Sequence, residues 1–343
     1  MLSLQSHTFD LPLKHPFTIS RSTVSVQPTL VVELSDGTHQ GYGEATTNDY
    51  YGMTLDRMVK AIESVRSTVE SIQAVNPTEI FESVQVQLAD EPFALCALDQ
   101  AVYDLWGKQK GKPVYELWGL DPNDAPRSNF TIGIDSIAAM IAKLEEAPGW
   151  PIYKIKLGTK HDIEIVEQLR QHTDAKFRVD ANCGWTVPET ITNSHRLREL
   201  GVEFIEQPLP ADQVEESREA FQKSALPIIA DESCIVENDV DQCAGRFHGV
   251  NIKLVKCGGM TPAKRMIQRA RELNMKAMVG CMTESSVGIS AIAQLAPLLD
   301  YVDMDGAALL ANDIASGVDV QKGVCHFPTT NGNGVTLTPK RAG

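Results

Sequence analysis

Five charged residues recur at near-constant intervals: Lys156, Asp180, Glu206, Asp231 and Lys253 are 24, 26, 25 and 22 residues apart. Each ends or follows a short apolar run, so each sits where a strand hands over to a loop. Three clustered carboxylates without compensating charge would repel one another strongly. A hard divalent cation removes that conflict. An oxygen-only donor set with room for water or substrate suits Mg²⁺, with Mn²⁺ as a plausible substitute. The plainer alternative for any one acid is a strand end at a polar rim. Three acids on consecutive strands, flanked by lysines, argue against it.

A lysine with the ordinary pKa of about 10.4 is a poor base at neutral pH. Burial, a second ammonium and a nearby metal all lower it. Lys154 lies two residues before Lys156, on the same strand face, and is expected to supply that second ammonium. Asp303 and Asp305 are also two apart, and two carboxylates on one face make a cradle for an α-ammonium group. Their alternative is a strand-end pair that caps a helix or pairs with a barrel lysine.

These side chains need a scaffold that brings strand ends together. From about residue 128 eight short apolar runs appear: FTIGI, YKIKL, FRVD, EFIE, PIIAD, GVNIKL, KAMVG and YVDMD. Helix signals lie between them, such as Pro188 near the start of one segment with Gly201 after it. Eight βα units predict a (β/α)₈ barrel, whose site lies at the C-terminal ends of the strands. A doubly wound open sheet is the competing fold, and its Gly-x-Gly-x-x-Gly or Walker turn is missing. In a barrel, strands two and six are opposite. Lys156 and Lys253 then face each other with the three acids between them.

The first third reads differently. TLVVEL (29–34), the Asp36-Gly37 turn and a return over 38–46 predict a hairpin, followed by helices from Leu55 and over about 93–108. The tail, with short strand-like pieces, is expected to leave the barrel and pack on this N-terminal unit. The fold class is α/β: a modified barrel over 126–317, with an α+β capping domain over 1–125 completed by the tail, 318–343.

The chain has 343 residues, 45 acidic and 31 basic, for a net charge of −14. That argues against a nucleic-acid binder or a polybasic membrane-surface protein, which need a cationic face. Seven scattered cysteines without a Cys-x-x-Cys argue against a disulfide framework or zinc ribbon. Cys183, Cys234, Cys257 and Cys281 are read as small packing residues. With no signal-peptide pattern and no membrane-length apolar run, a soluble cytoplasmic protein is expected. A homo-oligomer is compatible with everything above.

Lys-x-Lys (154–156), Asp-Ala-Asn (180–182), Glu-Gln-Pro (206–208), Asp-Glu-Ser (231–233) and Asn-Ile-Lys-Leu (251–254), in this order, resemble the enolase superfamily and its muconate lactonizing enzyme subgroup. The segment Gly280-Cys281-Met282-Thr283-Glu284-Ser285 and the pair Asp303-x-Asp305 resemble the dipeptide epimerases, particularly the L-Ala-D/L-Glu type. The resemblance spans nearly the whole chain. It implies Mg²⁺ on Asp180, Glu206 and Asp231, and Lys156 and Lys253 as a two-base pair that inverts an α-carbon through an enediolate. It implies support from Lys154, Asn182 and Glu232. Asp303 and Asp305 would hold the free amino terminus of a small-molecule dipeptide, with Thr131, Met282 and Glu284 also facing the substrate. Arg21, in a loop Thr18–Ser22 expected to cover the barrel mouth, would fork onto an acidic side chain, and the neighbouring loop 48–52 would help shape specificity. An epimerase for non-acidic dipeptides is one alternative, and o-succinylbenzoate synthase, N-succinylamino acid racemase and cycloisomerase are the others within the superfamily. The substrates of the last three offer no free ammonium to explain Asp303 and Asp305. A barrel that keeps a structural metal and only binds ligands leaves the lysine pair unexplained. A pyridoxal-phosphate barrel would not need three acids on adjacent strands.

Overall fold

The structure, a computed structural model, describes residues 1–20 and 22–338. The chain opens with a three-stranded antiparallel meander, β1 (Ser3–Ile19), β2 (Ser22–Ser35) and β3 (Gln40–Thr46). Three helices follow: α1 (Leu55–Glu70), α2 (Pro77–Val84) and α3 (Pro92–Lys110). Helix α3 starts with proline in its first turn and stops at Gly111, whose φ of 66° suits glycine. It is buried on most sides because β3 covers one flank and the barrel another. A Cβ on Gly41 would lie 2.2 Å from the Ala101 carbonyl oxygen, and one on Gly43 would lie 2.0 Å from that of Ala97. The Gly41-Tyr42-Gly43 fragment therefore exists for close strand-on-helix packing.

Eight parallel strands form the second layer, each from one of the eight apolar runs. They are β4 (Phe130–Ile132), β5 (Ile152–Lys156), β6 (Lys176–Asp180), β7 (Val202–Glu206), β8 (Ile228–Ala230), β9 (Gly249–Ile252), β10 (Lys276–Gly280) and β11 (Tyr301–Asp303). They pair in chain order. Among the described residues no ladder joins β4 to β11, and polar bonds bridge the gap. Thr131 N donates to Asp305 Oδ2 at 2.5 Å, and Met304 N to Ser128 Oγ at 3.0 Å. Arg178 Nη1, on β6, donates to the Val302 carbonyl at 3.0 Å.

One apolar core runs from Leu30, Val32 and Leu34 through α3 into Val250, Ile252 and Val279 of the barrel. Each fully buried Leu, Ile or Val in it contributes roughly 1.5–3 kcal/mol. A second core fills the other half of the barrel around Ile155, Val179 and Ile205. The tail returns to the first unit: Asn333 N donates to Asp104 Oδ1 at 2.7 Å, and Lys108 Nζ to the Val335 carbonyl at 2.9 Å. No described helix is long and apolar enough to cross a membrane.

The segment read as a lid loop is different. Thr18, Ile19 and Ser22 belong to the ends of β1 and β2, paired Thr18–Thr23 and Ile19–Ser22. The ribbon docks on the barrel, because Ile134 N donates to the Thr18 carbonyl at 2.8 Å. Alternating exposed residues let two long strands project as a ribbon, where the sequence suggests only irregular structure. Arg21 lies outside the described residues.

Candidate active site

A cavity of about 770 Å³ opens at the C-terminal ends of the barrel strands, between the β1–β2 ribbon, the 48–51 segment and the barrel. Lys156, Asn182, Asp231, Glu232 and Lys253 line one part of it. Thr131, Cys281, Met282, Asp303 and Asp305 line another. β5 and β9 stand four places apart in the eight-stranded order, so Lys156 and Lys253 enter from opposite sides.

Asp180, Glu206 and Asp231 end or follow β6, β7 and β8, and one oxygen of each lies within 4.8 Å of the others. All three are buried. Lysines hold them: Lys156 Nζ is 2.6 Å from Asp180, Lys154 Nζ is 2.7 Å from Glu206, and Lys253 Nζ is 2.7 Å from Asp231. Burial and the Asp180 charge push Glu206 up to about 7. Burial would raise Asp231 too, but Lys253 and Lys256 hold it well below the carboxylate range.

Lysine basicity departs from expectation. Burial alone would pull Lys253 down, yet the Asp231 and Glu206 carboxylates outweigh it and keep its pKa above the ordinary lysine value. Lys154 behaves likewise, raised by Asp303, Glu206 and Asp180 against its desolvation. It is 1% exposed and lies behind the cavity wall, so it does not act as a free second ammonium next to Lys156.

The three acids fit a divalent cation. Their donors are all oxygen, and they converge. Two nearby acceptors also go without a hydrogen bond: Asn182 Oδ1, and Glu206 Oε2, which faces Lys154 only as an ion pair. Asn182 and Cys183 hold positive φ angles of 45° and 64°, a costly turn that places the Asn182 backbone N–H 2.9 Å from Asp180 Oδ1.

Asp303 and Asp305 converge as well, with Cys281 Sγ completing a group within 4.8 Å. The reason differs from strand alternation. β11 stops at Asp303, and Asp305 precedes the 3₁₀ turn Gly306–Leu309. Asp303 pairs with Lys154 at 2.8 Å and accepts from Asn129 Nδ2 at 2.7 Å. Burial and Asp303 push Asp305 up to about 8.

Glu284 is misplaced by its motif. It does not line the cavity. It is buried at the seam with the first unit, where Oε1 accepts from Met282 N at 2.7 Å, and burial and Glu44 push its pKa up to about 8. Met282 itself faces the cavity. So does Cys281, which is more than a packing residue.

Several polar residues were invisible as site components. Gln207 Oε1 accepts from the backbone N–H groups of Asp231 and Ser233 at 2.9 and 3.1 Å, locking the metal-side loop after β8. Asn251 Nδ2 fixes Glu206 Oε1 at 2.8 Å. Lys256 Nζ donates to the Asp231 carboxylate at 2.7 Å and to the Cys234 carbonyl at 2.8 Å. The motifs Glu-Gln-Pro and Asn-Ile-Lys-Leu contain two of them, but only the fold shows what they hold.

Residues 5–119 match the family model "Mandelate racemase / muconate lactonizing enzyme, N-terminal domain", and residues 136–341 match "Enolase C-terminal domain-like". The chain belongs to this family of the enolase superfamily. A family relative, the L-Ala-D/L-amino acid epimerase of Flavobacterium johnsoniae, is 56% identical over 96% of this chain and 98% of its own length. The substrate-liganded L-Ala-D/L-Glu epimerase of Bacillus subtilis superposes with a TM-score of 0.91 at 26% identity, covering 97% of each chain. A dipeptide epimerase of Enterococcus faecalis, solved with Mg and L-Leu-L-Tyr, has a TM-score of 0.89 at 29% identity, covering 97% of this chain and 99% of that one. Within the mandelate racemase / muconate lactonizing enzyme family, the likeness thus runs through both parts of the fold.

Proposed function

We infer that the chain is a Mg²⁺-dependent dipeptide epimerase, an isomerase that inverts the α-carbon of the C-terminal residue of L-alanyl dipeptides, with L-Ala-D/L-Glu as the first substrate to test. The observation that carries this reading is one cavity lined by two lysines on opposite sides, by Asp231 and by the Asp303–Asp305 pair, with Asp180 and Glu206 converging on Asp231 just behind its lining. The epimerases of F. johnsoniae and B. subtilis support it.

In this reading Lys156 and Lys253 act on opposite faces of the α-carbon. One takes its proton and the other returns a proton, each across a short gap in a site closed by the β1–β2 ribbon. Mg²⁺ held by Asp180, Glu206 and Asp231 supplies Lewis-acid stabilisation of the charge that develops on the substrate carboxylate, worth several kcal/mol. Asn182 and Glu232 support the lysine pair from the cavity edge. The Asp303–Asp305 wall receives the free ammonium, beside Thr131 and Met282. o-Succinylbenzoate synthase and N-succinylamino acid racemase chemistry leaves that wall without a partner. Arg21 stays in the reading as the group that recognises an acidic side chain. Arg21→Ala is expected to raise KM for L-Ala-L-Glu and to leave L-Ala-L-Phe unchanged.

The same reading divides the chain into a capping domain over 1–125, a catalytic barrel over 126–317 and a returning tail over 318–343. The bonds from Asn333 and Val335 to α3 support it. It also places the enzyme in the cytoplasm, supported by seven free cysteines, with no nucleic-acid or membrane partner, in keeping with its net charge of −14. A homo-oligomer fits this reading. Incubation with Mg²⁺ and a panel of dipeptides in D₂O tests the function directly. Deuterium entry at the C-terminal α-carbon with inversion is expected, and a panel in which nothing exchanges overturns it.

A further inference from the structure

Two buried acids meet at one glycine on the seam between the first unit and the barrel. Glu44 comes from β3, and Glu284 from the loop after β10. Gly288 N, in the first turn of the helix Ser286–Leu295, donates to Glu44 Oε2 at 3.0 Å. A Cβ on the same glycine would lie 2.1 Å from Glu284 Oε2, so the missing Cβ is what admits the second carboxyl. Donors crowd on Glu44. Thr29 Oγ1, Ser285 N and Ser285 Oγ also donate to it, at 2.9, 3.1 and 2.5 Å. Fixed donors at a helix start favour the charged form there. Glu284 Oε1 accepts from Met282 N at 2.7 Å, a bond that the carbonyl oxygen of a neutral acid can accept. Two negative charges meeting out of water repel, and one proton resolves the conflict. The Met282 bond reaches the cavity, because Met282 lines it beside Asn48, whose Nδ2 lies 3.8 Å from Met282 Sδ.

We propose that Glu284 holds the proton of this acid pair and works as a neutral carboxylic acid, a positioning residue that fixes Met282 in the cavity wall while Glu44 keeps its charge for the helix start. The groups that face Glu284 are Glu44 from β3, Cys96 from α3, Cys281 from its own loop and Lys253 after β9. Only the Lys253 ammonium among them favours the charged form. Burial and Glu44 outweigh it and push Glu284 up to about 8. The protonation rests on the geometry of the seam alone, and the effect on KM rests on the dipeptide reading.

The test compares Glu284→Gln, which copies the neutral acid, with Glu284→Leu, which removes the acceptor, in the full chain. Folding takes up a proton at Glu284 between the ordinary 4.5 and about 8, so wild type loses stability against Glu284→Gln as pH rises through that window. Relative to that variant, the wild-type melting temperature is expected to fall by at least about 2 °C between pH 5 and pH 9. A constant difference overturns the neutral-acid assignment. For L-Ala-L-Phe, Glu284→Gln is expected to keep KM within about twofold. Glu284→Leu is expected to raise KM about three- to tenfold, the scale of one lost hydrogen bond, with kcat reduced less. Unchanged KM in Glu284→Leu overturns the positioning role. If that variant does not fold, Glu284→Asp, whose shorter arm cannot reach Met282 N, must raise KM in the same direction, and unaltered KM there overturns the role. If the wild-type enzyme turns over no dipeptide, the functional reading fails, while the melts and the alkylation rate of Cys281 still decide the proposal. That rate, followed by mass spectrometry, is expected to rise about three- to tenfold in Glu284→Leu as the loop loosens, and an unchanged rate overturns the positioning role.

Discussion

Two of the regions that bury carboxylates neutralise them in different ways. At the barrel mouth Asp180, Asp231 and Asp303 each touch a lysine within 2.8 Å, and their pKa values are held down against the cost of burial. At the seam between the first unit and the barrel, Glu44 and Asp99 are held by backbone N–H and hydroxyl donors. Glu44 accepts from Ser285 N, Ser285 Oγ and Gly288 N at the start of the helix Ser286–Leu295. Asp99 accepts from Thr261 N at 2.8 Å and Thr261 Oγ1 at 2.7 Å in the first turn of the helix Met260–Glu272. Burial wins at the seam and raises both pKa values. Backbone donors are fixed and cannot follow a ligand, whereas lysine arms can be exchanged for a metal or a substrate. The mouth is built for exchange and the seam for docking.

The hardest blow to this contrast falls on the lysines. Lys156→Ala and Lys253→Ala should each lower epimerisation by about 10²- to 10⁴-fold while leaving thermal unfolding close to wild type. D₂O exchange from each enantiomer then assigns each lysine its face, because a variant that keeps one base retains exchange from one enantiomer only. Full turnover in either variant refutes the two-base mechanism.

Next in size is the metal. Asp231→Asn leaves the backbone lock from Gln207 intact but removes one converging carboxylate. Calorimetric Mg²⁺ affinity should fall by more than the roughly 10- to 100-fold of an outer partner. Wild-type affinity in this variant would mean the three acids do not form one site.

The seam predicts stability effects in place of catalytic ones. Asp99→Ala leaves the Thr261 N–H without its acceptor and the Thr261 hydroxyl with only Tyr103 Oη at 3.3 Å, and should cost about 1–3 kcal/mol of unfolding free energy, with kcat within a factor of about two. The pH dependence has a definite sign. Asp99 titrates near 7 in the folded protein, against 3.8 for an ordinary aspartate, so the folded state binds the extra proton between those values. Its contribution to stability is present in full below about 3.8 and is lost as pH rises through about 7. Asp99→Asn should flatten that part of the curve in denaturant melts at pH 5 and pH 8. An unchanged slope difference would show that other groups carry it.

The same contrast explains what could be read from the chain alone. Buried parallel strands are near-continuous apolar runs, so all eight were legible, and so were the acids and lysines that end them. Strand β1 was not, because its sequence mixes exposed polar residues with Pro12 and Pro16. Nor were Gln207, Asn251, Lys256 and Asn129. Their partners lie up to 174 residues away, and an amide looks the same in sequence whether it faces water or clamps a metal-side loop. Glu284 was named only from the resemblance of its motif, and a motif does not fix where a side chain beyond the end of β10 points. Lys253 stands above the ordinary lysine value instead of below it for a related reason. The expectation weighed burial, a second ammonium and a nearby metal but not the Asp231 carboxylate 2.7 Å from Lys253.

The smallest effect concerns the ribbon, which belongs to neither class of acid yet closes the mouth. Gly133 follows β4 at the barrel rim, and a Cβ there would lie 2.9 Å from the Thr18 carbonyl oxygen. Backbone cannot yield as a flexible side chain can, so Gly133→Ala must push the ribbon outward by a fraction of an ångström and strain the Ile134–Thr18 bond. Neither the acids nor the lysines move. The expected result is a rise of about two- to tenfold in KM, with kcat reduced less and Mg²⁺ affinity in the absence of substrate unchanged, the pattern of a site that closes less well around its ligand. A loss of Mg²⁺ affinity in this variant would show that ribbon and metal floor are coupled, and the division between an exchangeable mouth and a fixed frame would have to be drawn elsewhere.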